Sequence, residues 1–148
     1  MELKKTLFIL ILITVWLHSQ AQNWEPVKVI GIYTGAVVLS AIGDGLYDNG
    51  NKIPAHSFKA ASTGLLLASP FIFDYKKNTW YWYLLSYVSF RIALFDPVYN
   101  ATRGLPFDYA GSTSNWDKVV QKIDPSTGML WGRTVFLTFA IAIPIKEL

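Results

Sequence analysis

After residue 23 the chain alternates four apolar segments, residues 24–47, 55–73, 79–95 and 129–145, with two charged loops and one short basic turn. As α-helices these segments would be roughly 25–36 Å long, comparable with the ~30 Å hydrocarbon core of a bilayer. They predict an all-α fold of four transmembrane helices. The longest uncharged runs, 29–43, 60–73, 78–90 and 134–145, hold only 15, 14, 13 and 12 residues. Buried helices of a soluble core can look the same at that length. Three features favour the membrane: Lys, Arg, Asp or His flanks each run, apolar residues wrap all sides, and Trp80-Tyr81-Trp82-Tyr83 opens the third segment as an aromatic belt would.

The first 21 residues read as a secretory signal. Lys4 and Lys5 precede an apolar stretch from Leu7 to Leu17, and Ser19-Gln20-Ala21 forms a small-x-small cleavage site. An uncleaved anchor is the alternative, and both place Asn23 on the outer side. The apolar run followed by Ser-Gln-Ala-Gln resembles signal peptides of Bacteroidetes-type bacteria, which implies a Gram-negative envelope and a multi-pass protein of its cytoplasmic membrane. Residues 22–148 then form one domain. Hydrophobic residues make up 52% of the chain, and mean hydropathy is +0.30, high for a soluble domain and modest for a membrane one. The chain has no Cys, which excludes thiol catalysis and Cys-ligated metals. A net charge of +3 without a basic, aromatic-interleaved stretch gives no reason to expect a nucleic-acid partner.

Small residues suggest how the first two segments meet. Gly31 and Gly35, then Ala36 and Ser40, lie four apart, as do Ala60, Gly64 and Ala68. Such spacing lets membrane helices approach closely, either within the chain or between copies in a homo-oligomer. With Asn23 outside, the loops 48–54 and 96–128 share the inner side. Lys52, Lys59, Arg91, Arg103, Lys118, Lys122 and Arg133 lie in or beside them, against Lys28, Lys76, Lys77 and Lys146 outside. That agrees with the positive-inside tendency, although Lys76-Lys77 speaks for the inverse. Asp96-Pro97 reads as an N-cap with Pro at the first helical position, and Gly104-Leu105-Pro106 as a stop, predicting a short interfacial helix over 97–103. Ser114-Asn-Trp-Asp117 resembles a capping box opening a second one that ends near Ile123.

The shared polar face gathers the candidate ligand-binding residues: Asp44, Asp48, His56, Arg91, Asp96, Asn100, Arg103 and Asp117. His56 with Asp44 and Asp48 offers the ligand types of a divalent-ion site, but no metal-binding spacing accompanies them, and aspartates in such a loop are turn and cap formers. No metal or cofactor is implied. Arg91, Arg103, Lys52 and Lys59 could converge on a phosphate, whereas Arg91 one turn inside the membrane could instead pair with Asp96 or Asp44. No nucleophile motif or phosphate-binding loop is present. The expected function is that of a small accessory or binding protein, holding an anionic lipid headgroup or a partner membrane protein. A membrane-embedded enzyme acting on a phosphate- or carboxylate-bearing lipid through Asp44, His56, Arg91 and Asp96 is the alternative.

Overall fold

The computed structural model describes residues 24–74, 78–109 and 130–147, together with Lys118 and Lys122. The signal segment and Asp117 lie outside the described residues, as do both ends of the expected second interfacial helix; Lys118 and Lys122, within its expected range, are helical. The described residues are helical with no strand, in four long helices: α1 (Glu25–Asp48), α2 (Lys52–Ile72), α3 (Trp80–Arg103) and α4 (Leu130–Glu147). Their limits fall within one to three residues of the apolar segments except at the end of α3.

There the expectation of a separate helix over 97–103 is corrected. α3 runs unbroken through Pro97 to Arg103 and stops at Gly104, which adopts φ 69° while the Leu105 N–H bonds back to the Asn100 carbonyl at 2.9 Å. Pro97 lacks the N–H that would bond the Ala93 carbonyl, so it costs the helix one bond. Tertiary contacts on both sides hold the turn. Arg133 bonds Asp96 at 2.9 Å, and Asn100 donates to the carbonyls of Phe107 and Tyr109 at 3.3 and 2.8 Å. The stop at Gly104 is where the sequence placed it.

α1 is the centre of the arrangement. It packs along α2 on one side and α3 on the other, and α4 lies against the far flank of α3 with a slight contact to α1. Consecutive helices run antiparallel, so the α1–α2 turn and the 104–129 connection share one end, called here the loop end. The opposite end joins the starts of α1 and α3 to the end of α2. α1 and α2 do pack, but only partly through the predicted glycines. A Cβ added at Gly31 or Gly64 would meet nothing within 4 Å, while one at Gly35 would lie 3.3 Å from Leu65. The close approach is at Gly43, where a Cβ would come within 2.8 Å of Lys59 Cγ and 3.1 Å of the Ala55 carbonyl. Gly45 plays the same part toward α3, with Thr102 Cβ at 2.8 Å.

Serines take up backbone acceptors that prolines orphan. Pro70 and Pro144 sit inside α2 and α4 and cannot donate to the carbonyls four residues back, Leu66 and Ala140. Ser69 donates its hydroxyl to Leu66 at 2.8 Å, and Ser86 of α3 donates to Ala140 at 3.0 Å. A third buried serine, Ser62, ties α2 to the Ala36 carbonyl of α1 at 2.7 Å.

The core is a cluster of Val29, Tyr33, Val37, Phe73, Tyr83 and Phe90, with serines and alanines between the helices, and further large apolar side chains face outward. Phe71 is 91% exposed and Trp131 76%, and Leu67, Leu84, Val135 and Phe139 are all exposed. By length and composition, α1 is the helix among the described residues that qualifies as able to cross a membrane. The 18 residues of α4 include Arg133, Lys146 and Glu147.

Candidate functional site

At the loop end, backbone geometry brings the last turns of α1 and α3 together. Gly45 lets Thr102 approach, and Asn49 then donates to the Thr102 carbonyl at 3.1 Å. This seats Asp48 beside Tyr99, whose hydroxyl donates to the Asp48 carboxylate in a short hydrogen bond. Arg103 donates to the same Tyr99 oxygen at 2.9 Å and lies 4.0 Å from Asp48. Tyr99 stands past residue 95, beyond the third apolar segment. Partial burial, then the Asp48 carboxylate, raises its pKa above the usual phenol value, and Arg103 opposes the shift.

One turn further in, two ion pairs bind helix to helix. Lys59 of α2 meets Asp44 of α1 at 2.5 Å, with both side chains partly exposed. Arg133 of α4 meets Asp96 of α3 at 2.9 Å, and here the side chains are only 6% and 24% exposed. Asp44, Arg91 and Asp96 lie near one another, both carboxylates acting on the guanidinium from beyond ion-pair distance, but each carboxylate is bonded to another base. Asp44 and Asp96 answer to different bases on different helices, and His56 is exposed, edge-on to Tyr47 at 6.0 Å. Asn100 is buried and spends its amide on the backbone of 107–109, so it folds the chain and is not turned to a ligand. Among the described residues no three metal-ligating side chains come together.

Arg91 departs from expectation. The pairing with Asp96 or Asp44 does not form, because Arg133 and Lys59 hold those carboxylates at shorter range. Half-buried in the α1–α3 seam, the guanidinium instead stacks on the Phe95 ring, 3.3 Å from its centroid, and donates to Ser40 Oγ at 3.4 Å. Phe95 lies one turn nearer the loop end, so the side chain extends toward that surface, as a snorkelling cation does. Lys52, at the same end, is exposed, with its ammonium 5.9 Å from the Tyr47 ring.

The opposite end holds a buried carboxylate that sequence reasoning passed over. Glu25, 4% exposed, accepts from the Tyr83 hydroxyl at 2.8 Å and the Asp74 N–H at 2.9 Å, and Lys28 stands 2.7 Å from its second oxygen. Lys28 also reaches Asp74 at 3.0 Å and the Ile72 carbonyl at 3.2 Å. Above this knot Phe73 stacks on Tyr83 at 5.2 Å and meets Tyr33 edge-on at 5.3 Å. Glu25-Pro26 looks like an ordinary helix start with an acid in its first turn. The available signal was Lys28, three residues on and on the same face. Through the Tyr83 hydroxyl, the Asp74 N–H and the Lys28 ion pair, Glu25 clamps α1, α2 and α3 together.

Comparison with known proteins finds no family model that matches the chain, and no curated protein or solved structure similar to it.

Proposed function

We propose that all four helices cross the bilayer, that the protein resides in the cytoplasmic membrane, and that its loop end binds an anionic lipid headgroup through Arg91. The exposed large apolar side chains support the membrane part. Leu67, Phe71, Leu84, Val135 and Phe139 are exposed, while the hydroxyls of Ser62, Ser69 and Ser86 turn inward to backbone carbonyls, as suits an apolar solvent. Trp24, Trp80 and Tyr81 at one end and Phe107, Tyr109 and Trp131 at the other, all exposed, suit the two interfaces.

The observation that carries the binding part is a half-buried guanidinium with no carboxylate at ion-pair distance among the described residues. A cation in a half-buried seam is costly unless an anion or water meets it. Each nearby acid is already held by another base, while Phe95 and Ser40 fix the guanidinium plane. A headgroup phosphate or carboxylate arriving from the loop end would supply a directly bonded anion, with Lys52 adding attraction at the rim. Asp44 and Asp96 are each bonded in an ion pair and His56 faces Tyr47 at the surface, which weighs against the enzymatic alternative.

The test is retention of phosphatidylglycerol over phosphatidylcholine by purified protein in detergent. Arg91→Ala should reduce phosphatidylglycerol retention by about tenfold or more, the scale of a charge-assisted contact of about 1.5–3 kcal/mol. Helix content and thermal midpoint should stay unchanged. Undiminished retention, or a collapse of the fold, would refute the assignment.

A further inference from the structure

We propose that the groove between α3 and α4 holds one acyl chain of an amine-bearing zwitterionic phospholipid, its phosphate on Lys146 and its ammonium on Glu147. The inference rests on the four-crossing reading and concerns the end of the bundle opposite Arg91. The groove encloses about 460 Å³. Trp82, Leu85 and Ser89 of α3 form one wall, and Phe139 and Ile143 of α4 the other. Its length matches one leaflet. From Trp82 to Ser89 the wall rises about 10 Å, and from Lys146 back to Phe136 about 15 Å. Half of a ~30 Å hydrocarbon core is the same distance. The groove therefore starts at the interface and ends near the bilayer middle, where a single chain from that side would end.

Charge selects the headgroup. The lining is apolar along its length and ends in two adjacent residues of opposite sign, Lys146 and Glu147. An anionic headgroup would gain Lys146 and be repelled by Glu147. A headgroup with phosphate and primary ammonium matches both, and its N–H groups can donate to the carboxylate. The Trp82 indole at the mouth stands where an amphipathic ring suits the headgroup boundary.

The test uses full-length protein in phosphatidylcholine vesicles, with every tryptophan but Trp82 replaced by Phe. Brominated phosphatidylethanolamine or brominated phosphatidylglycerol is added at equal mole fraction as the quencher. A second protein keeping only Trp131, at the other end of α4, is the reference. Brominated phosphatidylethanolamine should quench Trp82 at least twofold more than brominated phosphatidylglycerol, and Trp131 should show no such preference. Lys146→Gln with Glu147→Gln should abolish the preference, as should Ala142→Phe, which fills the groove from its exposed rim. Equal quenching of Trp82 by the two lipids, or a preference surviving in these variants, overturns the proposal while leaving the membrane reading intact. Absence of quenching at both tryptophans would show that the helices are not in the bilayer, and both readings would fall.

Discussion

Replacing Asp96 by Ala should be among the most damaging single changes in this chain. Its carboxylate meets Arg133 at 2.9 Å, and the arginine side chain is 6% exposed. Removing the acid strands a guanidinium that cannot reach water without moving α4. Breaking a buried pair in this way typically costs about 3–5 kcal/mol. The Lys59–Asp44 pair provides the internal comparison. Its contact is shorter, 2.5 Å, but its side chains are 41% and 34% exposed, so screening leaves it worth about 0–1 kcal/mol. Asp96→Ala should thus lose several times more stability than Asp44→Ala, measured by reversible unfolding in a mild detergent. The double variant Asp96→Leu with Arg133→Met should recover part of the loss, because it removes both charges and keeps apolar volume. If Asp96→Ala cost no more than Asp44→Ala, or if the double variant were as unstable as the single one, burial would not be what sets the strength of these pairs.

Glycine substitutions should split by position. Gly43→Ala and Gly45→Ala each press a Cβ within 2.8 Å of a neighbouring helix and should lose about 1–3 kcal/mol in the same unfolding assay, whereas Gly31→Ala and Gly64→Ala meet open space and should gain about 0.4–1 kcal/mol. Tyr99 has a raised pKa, so its contribution is intact below the usual phenol value near 10 and is lost as pH rises through the folded-state value; Tyr99→Phe should flatten that alkaline decline. Cysteines placed at Asn51 and Asp108 should react alike with an impermeant thiol reagent on intact cells and opposite to one at Asn78; labelling that separated Asn51 from Asp108 would break the shared loop end.

The helices were legible because four apolar runs have polar punctuation. Their contacts were less so. A run that is apolar all round hides which face turns inward, and the predicted glycine stripe named Gly31 and Gly64, which face open space. The face that α3 buries was readable in another register: Tyr83, Ser86, Phe90, Ala93, Pro97 and Asn100 recur every three or four residues. α2 likewise buries Ala55, Ser62 and Ser69, seven apart. Pro97 misled because Asp-Pro signals a helix start locally, and only α4 and the 107–109 backbone hold the helix through it. Of the polar residues, Asp44, Asp48, Arg91, Asp96 and Arg103 do gather at the loop end. Their pairing was not legible, since Arg133 and Tyr99 enter from distances in sequence that no local pattern encodes.

The repair of the two prolines has a bearing on the order in which the protein is made. Pro70 is mended by Ser69 from its own helix, so α2 has that carbonyl satisfied wherever it is placed. Pro144 is mended by Ser86 of another helix. Until α4 docks on α3, the Ala140 carbonyl faces its surroundings with one acceptor unused, which is expensive inside hydrocarbon. Synthesis delivers α3 first, so the donor is already waiting when the last helix leaves the ribosome. On the proposed four-crossing arrangement, insertion of α4 and its docking on α3 become one event.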